Sequence, residues 1–312
     1  MKFGLVGTGY WARHAHAEAL ANEQTIEFVG VWGRDLGRAT EVAAPYGAQP
    51  YDDYDAFLAG IDVVDFSLDP DVQAELATRA AAAGKHLLLE KPMATSVEAA
   101  ARLEAAAEKS GVCSVVFFTR RYEPAHRKWL ETLQQQGGWR GAWSLWIADG
   151  LTPGSRFESS VWRREKGPLW DIGPHALATL WPILGPVTAV SAVRGDHDLV
   201  HLVLTHEGGA TSTASLTLTA PHEAAHIEVT FWGGSGLSTM PPSEVPSRES
   251  LRVAIRELVD CIKRGDRSHP CGVAFGRQVV EVLALANRHI SPPPTPRPPP
   301  PSPSHLAPGT SE

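Results

Sequence analysis

The 312-residue sequence contains few cysteines, no long apolar run and no excess of basic residues. Its three cysteines, Cys113, Cys261 and Cys271, are far apart and lack the spacing of metal ligands, so we expect a reducing compartment, the cytoplasm. No segment approaches the roughly 18 consecutive apolar residues that a membrane span requires. The net charge of −7 disfavours contact with nucleic acid or with an anionic membrane. The composition, 43% hydrophobic and 20% charged, indicates a soluble globular protein.

Short apolar runs alternate with alanine-rich helical patterns along residues 1–118. The apolar runs occupy residues 2–7, 27–33, 62–66, 86–89 and 112–118, and the helical patterns occupy residues 11–21, 35–44, 72–83 and 96–110. These runs are apolar throughout, which is typical of parallel strands that helices cover on both faces. Residues 1–118 are therefore predicted to form a doubly wound parallel sheet, the Rossmann fold that binds dinucleotides.

The pattern changes after Thr119, because strand patterns now follow one another without intervening helices. They occupy residues 187–194, 199–206, 210–219 and 226–232, whereas helices are predicted at residues 124–136, 171–184, 248–264 and 275–288. The segment 137–170 is rich in tryptophan and is interpreted as irregular. We predict an α+β domain for substrate binding and oligomerisation over residues 119–290, built on a mainly antiparallel open sheet. Residues 291–312 contain ten prolines and are expected to form a disordered tail.

A glycine-rich turn lies where the first strand pattern meets the first helix. It consists of Gly7, Thr8, Gly9, Tyr10, Trp11 and Ala12, which fit the pattern G-x-G-x-x-A. The first glycine permits a tight turn, the second admits a pyrophosphate to the backbone, and the small third residue lets helix and strand pack closely. Free N–H groups at the start of the helix then face the anion. The strand–turn–helix context favours dinucleotide binding at these residues.

The end of the second strand bears on which dinucleotide is bound. NAD sites usually place a carboxylate about 20 residues beyond the glycines, where it holds the ribose 2′-hydroxyl. Here Gly33 stands at that point, followed by Arg34 and, one helical turn later, Arg38. A guanidinium binds a 2′-phosphate bidentately, so NADP is the preferred cofactor and NAD the alternative. On the other interpretation both arginines are solvated residues at a helix start, and Asp35 is a helix cap.

Three further motifs carry a resemblance to a known family. Residues 83–92 read AGKHLLLEKP, residues 121–124 read RYEP, and a Trp-Arg pair at 162–163 precedes DIGPH at 171–175. With the glycine-rich turn, they make the sequence resemble the Gfo/Idh/MocA (glucose–fructose oxidoreductase / inositol dehydrogenase) family over residues 2–290. The resemblance implies an NAD(P)-dependent oxidoreductase that acts on a sugar, inositol or related polyol. It also implies a homodimer or homotetramer.

The resemblance implies roles for individual residues as well. Lys91 and His175 are the expected catalytic residues, and Asp171 is expected to orient the substrate. Arg121 and Arg163, together with the three residues just named, are the implied substrate contacts. The peptide bond between residues 91 and 92 is expected to be cis, which would direct the lysine side chain.

The same residues make chemical sense without the family. Lys91 follows a buried strand, and ligands of open parallel sheets bind beyond the carboxyl ends of the strands. Oxidising a secondary alcohol requires a base for the hydroxyl proton, which His175 can supply, and a cation for the developing alkoxide. Asp171 and His175 are four residues apart, so on one helix they would share a face. Glu90 is placed to orient Lys91 and to contact the cofactor.

The sequence departs from the family pattern after the third strand. Leu68, Asp69 and Gln73 stand where the family often has threonine, proline and histidine. The loop that begins here is expected to lie over the cofactor. The departure therefore affects the contacts to the nicotinamide.

A second pattern and two other functions compete with this interpretation. HEAAH at residues 222–226 matches the zinc pattern H-E-x-x-H, but Pro221 before it and a β-rich run after it predict a turn into a strand, so no metal site is expected.

A non-catalytic dinucleotide-binding sensor or scaffold is the first alternative function. An enzyme that uses tightly bound NAD(P) transiently, during glycoside cleavage or epimerisation, is the second.

Overall fold

The computed structural model describes residues 1–290. The proline-rich tail predicted for residues 291–312 lies outside the described residues. Six parallel strands form the first sheet, in the order β3-β2-β1-β4-β5-β6. They are β1 (Lys2–Val6), β2 (Glu27–Trp32), β3 (Gln49–Tyr51), β4 (Val63–Phe66), β5 (His86–Glu90) and β6 (Ser114–Phe117). The order confirms the predicted doubly wound parallel sheet. The short edge strand β3 was not predicted, because three residues with a central proline give no periodic signal.

Helices alternate with these strands along the chain. They are a π-helical turn (Ala12–His16) that continues into α1 (Ala17–Ala21), then α2 (Leu36–Ala43), a 3-10 turn (Ala44–Tyr46), α3 (Tyr54–Ala59), α4 (Pro70–Ala82) and α5 (Val97–Ser110). Local sequence sets the ends of α5. The Ser96 side chain accepts a hydrogen bond from the Ala99 N–H at 3.1 Å, and the helix stops at Gly111, whose φ of 66° favours glycine.

Strand β5 lies inside the sheet and is buried on both faces. Leu87, Leu88 and Leu89 have no solvent exposure, and each buried leucine contributes about 1.5–3 kcal/mol to folding. A strand buried in this way is held firmly by its neighbours. The charged residues at its carboxyl end, Glu90 and Lys91, are therefore delivered to a defined position at the edge of the sheet.

The second sheet is mixed, with the order β12-β11-β7-β10-β9-β8. Its strands are β7 (Trp139–Ile147), β8 (Val187–Arg194), β9 (Val200–His206), β10 (Thr211–Thr217), β11 (His226–Gly233) and β12 (Gly236–Thr239). All neighbouring pairs are antiparallel except β7 with β10, which is parallel. The prediction of a mainly antiparallel open sheet is confirmed.

The central strand β7 lies in the segment interpreted as irregular. Its sequence, WRGAWSLWI, does alternate, with Ser144 and Trp146 buried and Trp143 and Leu145 half-buried. Because large side chains occur on both faces, the apolar/polar contrast that marks a half-buried strand is absent. Only pairing with β10 and β11 identifies it as the centre of the sheet.

Six helices accompany the mixed sheet. They are α6 (Thr119–Tyr122), α7 (Pro124–Gln136), α8 (Val161–Asp171), α9 (Gly173–Leu184), α10 (Ser247–Arg264) and α11 (Val273–His289). Helix α9 packs on β7 and β10, and α11 packs on β8. The start of α11 also reaches the parallel sheet, where the Val273 N–H donates to the Ser114 hydroxyl at 3.1 Å. At Gly276 a Cβ atom would lie 2.5 Å from the Met93 sulfur, so a larger residue there would require the Met93 side chain to move.

Two further observations concern the expected setting of the protein. Among the helices of residues 1–290, none combines the length and the hydropathy needed to cross a lipid bilayer. Cys113, Cys261 and Cys271 are all free and buried.

Candidate active site

A cleft of about 960 Å³ opens at the carboxyl ends of the parallel strands. Gly7, Gly33, Ser67 and Lys91 line it, and they lie just beyond β1, β2, β4 and β5 respectively. Trp146 of the mixed sheet forms part of the opposite wall. The cleft therefore lies where open parallel sheets bind their ligands.

The glycine-rich turn forms one end of the cleft, which Gly7, Thr8, Gly9, Tyr10 and Trp11 all line. Gly7 has a φ of 137°, and a Cβ atom there would lie 2.3 Å from the Ser67 carbonyl oxygen. Around Gly9, in contrast, the space where a Cβ atom would lie is open. A backbone exposed in this way, directly before a helix, fits the pyrophosphate of a dinucleotide.

Arg34 and Arg38 line the cleft beyond β2, as the sequence predicts for contacts to the adenosine end of the cofactor. Asp35 lies between them, but its carboxylate accepts a hydrogen bond from the backbone N–H of Arg38 at 3.0 Å and caps α2. One oxygen of the Asp35 carboxylate is thus engaged by the protein backbone.

Lys91 extends from the end of β5 to Asp171. Its Nζ donates to the Asp171 Oδ1 at 2.8 Å and to the Asp171 carbonyl oxygen at 2.6 Å. The peptide bond between Lys91 and Pro92 is cis, as the family resemblance implies. Because an ammonium group has three N–H donors, two bonds to Asp171 leave one donor for a ligand in the cleft.

Asp171 is the carboxylate of a buried ion-pair cluster. Its Oδ2 accepts a hydrogen bond from the Arg163 Nε at 3.1 Å, while Oδ1 pairs with Lys91. Burial by itself raises the pKa of this carboxyl group, but the charges of Lys91 and Arg163 outweigh burial and lower the pKa to about 2. Asp171 therefore carries its negative charge throughout the neutral pH range.

His175 lies in the first turn of α9 and is stacked on Trp146, with ring centroids 5.5 Å apart. Its buried Nδ1 has no hydrogen-bond partner within residues 1–290. Burial, followed by the positive charge of Lys91, lowers the pKa of His175 well below its ordinary value. The imidazole is consequently neutral at pH 7.

Asp171 and His175 do not share a face of one helix, which was the geometry expected from their spacing. Helix α8 ends at Asp171, and α9 begins at Gly173 after Ile172 breaks the helical run. The two side chains nevertheless line the same cleft, because the break turns the start of α9 towards it. Sequence spacing identified the pair, but the geometry that brings it together is a junction between two helices.

The predicted substrate contacts separate into two groups. Arg163 lines the cleft, whereas Arg121 does not: its guanidinium donates to the Ala178 carbonyl oxygen at 3.2 Å and borders a separate cavity of about 420 Å³. The preceding residue, Arg120, lines the cleft instead. Consecutive residues on the single turn α6 point in different directions, so a motif alone does not decide which arginine faces the site.

Gln73 performs a task that its position in the sequence did not reveal. It is fully buried, and its carboxamide accepts from the Glu90 N–H at 2.9 Å and donates to the Glu90 carbonyl oxygen at 2.8 Å. Gln73 thus supports the backbone that carries Lys91. A polar residue on the apolar side of α4 was the only sequence signal for this role.

The HEAAH segment is not helical beyond a single 3-10 turn at His222–Ala224, and β11 begins at His226, as predicted. The His222 ring contacts Asp149 at 2.6 Å, whereas the His226 ring contacts Glu228 at 3.3 Å. The two histidines therefore face different carboxylates. Across residues 1–290 there is no group of three or more histidine, cysteine, aspartate or glutamate side chains that could hold a metal ion.

Comparison with known proteins places this geometry in context. Residues 1–118 match the family model GFO_IDH_MocA, described as an oxidoreductase family with an NAD-binding Rossmann fold. An uncharacterised oxidoreductase from Synechocystis is 32% identical over 197 residues, which are 60% of this chain and 52% of that protein. The match thus spans about half the length of that relative.

Two further similarities involve sugar-modifying proteins. The dTDP-3,4-didehydro-2,6-dideoxy-alpha-D-glucose 3-reductase of Actinomadura kijaniata is 29% identical over 236 residues, 71% of this chain and 69% of the reductase. The WlbA dehydrogenase from Bordetella pertussis, solved with NADH and UDP-GlcNAcA, has a TM-score of 0.81 at 21% identity. That alignment covers 93% of this chain and 96% of WlbA and establishes a common fold.

The Asp171 cluster generates a pH-dependent prediction. Removing one partner of a buried ion pair costs about 3–5 kcal/mol, so Asp171→Asn should be less stable than the parent at pH 7. The pKa of Asp171 is lower in the folded protein than the value of about 3.9 in the unfolded chain. The extra free energy of unfolding of the parent is therefore complete above about pH 3.9 and is lost as the pH falls towards 2. Urea unfolding of both proteins at pH 7, 5, 4 and 3 measures the difference.

Asp55→Asn is the matched control, because Asp55 forms an exposed ion pair with Arg79 at 2.8 Å. Exposed pairs contribute little, so this variant should unfold like the parent at every pH. An Asp171→Asn protein as stable as the parent at pH 7, or one whose deficit is unchanged at pH 3, would contradict the assignment of a buried, ionised carboxylate.

Proposed function

We propose that this chain, whose residues 1–118 match the NAD-binding Rossmann model of the GFO_IDH_MocA oxidoreductase family, is a member of that family and an NAD(P)-dependent dehydrogenase or reductase. Its substrate is a secondary hydroxyl, or the corresponding carbonyl, of a sugar, inositol or related polyol. The observation that carries the proposal is the convergence of Lys91, Asp171 and His175 in the cleft that the glycine-rich turn lines. The Actinomadura kijaniata relative, named as a 3-reductase of a dTDP-linked dideoxy sugar, supports the substrate class.

The residues of the cleft divide the chemistry between them. A bound nicotinamide supplies the hydride acceptor or donor, and the turn from Gly7 to Trp11 would hold the pyrophosphate that carries it. The neutral imidazole of His175 accepts the proton of the substrate hydroxyl. The free N–H donor of Lys91 stabilises negative charge on the same oxygen, and Asp171 orients the ammonium group. In the reductive direction the same groups return the proton to the carbonyl oxygen.

Residues 1–118 are thus the proposed cofactor-binding domain and residues 119–290 the proposed substrate domain. Arg163 and Arg120 both line the cleft and are proposed substrate contacts. The engaged backbone contact of Arg121 argues against a direct role for that residue. The free, buried thiols support the cytoplasm as the compartment.

The main test combines turnover with a substitution of Lys91. The protein is assayed for reduction of NAD and NADP over a panel of sugars and polyols, with the corresponding ketones assayed in the reverse direction. Lys91→Ala should lower kcat by about 10²–10⁴-fold, because it removes the charge that stabilises the alkoxide. Cofactor binding, measured by fluorescence titration, should persist.

Lys109→Ala is the control for that substitution, because Lys109 is exposed on the last turn of α5. It should retain the kcat of the parent. The proposal fails if no substrate changes either cofactor, or if Lys91→Ala is as active as the parent. Cofactor binding without turnover would favour a sensor or scaffold. Product formation without net consumption of free cofactor would favour transient oxidation by tightly bound NAD(P).

NADP is the cofactor that we propose for this site. Arg34 and Arg38 both line the cleft, while the carboxylate of Asp35 is engaged as the cap of α2. The two guanidinium groups would therefore pair with the charge of a 2′-phosphate, which a 2′-hydroxyl lacks. Loss of hydrogen bonds to a charged group costs about 1.5–3 kcal/mol, which corresponds to about 10–100-fold in affinity.

The double substitution Arg34→Ala with Arg38→Ala should raise the KM for NADP by about 10–100-fold and leave the KM for NAD nearly unchanged. Arg102→Ala, on the exposed side of α5, controls for the loss of a surface arginine. Steady-state kinetics with both cofactors measure the two constants. Equal increases for NAD and NADP, or a parent that prefers NAD, would contradict the assignment.

We also propose that the mixed sheet pairs with a second copy of this chain. Its outer face exposes Val193, Val203, Trp232 and Leu237 on neighbouring strands, with hydroxyl side chains such as Thr213 between them. Helices α9 and α11 cover only the other face. A face of this kind, on which apolar and hydroxyl side chains accompany the carboxylate of Glu228, suits an isologous contact, which gives a homodimer or, through a second contact, a homotetramer.

The double substitution Val193→Lys with Val203→Lys should convert the oligomer to a monomer, because it places buried charges in the contact. Val161→Lys, at the exposed start of α8, is the control and should leave the mass unchanged. Size-exclusion chromatography with light scattering gives the mass of each protein. A monomeric parent, or an oligomer that survives both lysines, would contradict the proposed contact.

A further inference from the structure

The helix that follows the glycine-rich turn begins with a π-helical turn, Ala12–His16. A π-helical turn is wider than an α-helical one, and such turns are frequent at functional sites. Here the turn ends at His16, whose side chain has no solvent exposure and lies against β4 and β5. None of the catalytic steps described above uses this histidine.

Both ring nitrogens of His16 face carboxylate oxygens. Nδ1 lies 2.9 and 3.0 Å from the two oxygens of Asp65, which is itself fully buried in β4. Nε2 lies 3.2 Å from the Glu90 Oε1. A neutral imidazole donates from only one nitrogen, so one of the two carboxylates would face a lone pair. An imidazolium satisfies both.

Glu90 connects this cluster to the catalytic lysine. Its Oε1 accepts hydrogen bonds from His16 and from the Trp11 indole N–H, the latter at 2.9 Å. Its Oε2 accepts from the backbone N–H of Lys91 at 3.1 Å. One carboxylate therefore joins the glycine-rich turn, through Trp11, to the residue that carries the Nζ group.

We propose that His16 is a positioning residue of the active site: anchored by Asp65 as an imidazolium, it fixes the Glu90 carboxylate and thereby the placement of Lys91. This inference rests on the proposed function for its kinetic consequences and on geometry for the arrangement itself. Burial opposes a charge on His16, but Asp65 and Glu90 outweigh it and raise the pKa of the imidazole above its ordinary value. The fully buried carboxylate of Asp65 and the half-buried carboxylate of Glu90 thus flank the His16 ring beside Lys91.

The kinetic test compares His16→Gln with the parent. A glutamine fills similar space but carries no charge and cannot donate to both carboxylates, so Glu90 should lose its fixed position. We expect kcat to fall about 10–100-fold with a KM for substrate within about threefold of the parent, because misplacement of a catalytic group affects the transition state most. His206→Gln is the matched control.

His206 is also buried, and its two ring nitrogens bond the Gly185 carbonyl oxygen and the Ser212 hydroxyl, both at 2.8 Å. It lies in the mixed sheet away from the cleft. His206→Gln should therefore lose stability in urea unfolding without a change in kcat. If His16→Gln loses no more than twofold in kcat, His16 is a core residue only and the proposal is wrong.

The same substitution in a Glu90→Gln background distinguishes positioning from general destabilisation. If His16 acts through Glu90, His16→Gln should lower kcat no further in that background, because effects within one chain of contacts are not additive. A loss of the same factor in both backgrounds would overturn the proposal. If His16→Gln does not fold, Trp11→Phe removes the other donor to Glu90 Oε1 and is subjected to the same comparison.

A spectroscopic readout tests the arrangement without turnover. The ¹⁵N spectrum of the parent is recorded at pH 7.5. The His16 signals are assigned by comparison with His16→Gln or, if that variant does not fold, by residue-specific labelling. Both ring nitrogens of His16 should be protonated. One unprotonated nitrogen would overturn the proposal even in an active enzyme. A parent that shows this imidazolium but turns over no substrate would instead overturn the proposed function and leave the arrangement standing.

Discussion

The ion pair between Lys91 and Asp171 joins the two parts of the molecule on which the site depends. The residues are 80 positions apart, one at the end of a buried parallel strand and the other at the end of α8. Without Asp171, the ammonium group of Lys91 would lose its carboxylate partner in a largely buried site, at a cost of several kcal/mol. The contact therefore fixes the direction of the ammonium group within the cleft. Burial lowers the pKa of the neighbouring His175, and the charge of Lys91 adds to this effect, so the imidazole is neutral.

Charge in this cleft is balanced locally. Asp171 is shared by Lys91 and Arg163, and Glu90 is shared by His16 and the Trp11 indole. Each carboxylate thus meets at least one cation or strong donor at hydrogen-bond distance, which is the condition for burying charge. Two histidines, His16 and His175, differ in protonation state because their surroundings differ. His16 lies between carboxylates, while His175 lies among cations and against an indole ring.

Much of the fold was predictable, because its signals are local. The continuous apolar run of β5, the serine cap of α5 and the glycine-rich turn each depend on a few neighbouring residues. The elements that escaped prediction lack such signals. Strand β7 carries large side chains on both faces, and its role at the centre of the mixed sheet depends on pairing with strands that are distant in sequence.

The sequence by itself determined the chemical inventory: a dinucleotide turn, a lysine at a strand end, and an aspartate and histidine four residues apart. The tertiary structure alone decided which of these side chains meet. It placed Arg120 rather than Arg121 in the cleft, split Asp171 and His175 between two helices, and assigned Gln73 and His16 to the support of Glu90. The physical reason is that residue type and spacing encode local geometry, whereas burial and charge pairing depend on neighbours brought together only by folding.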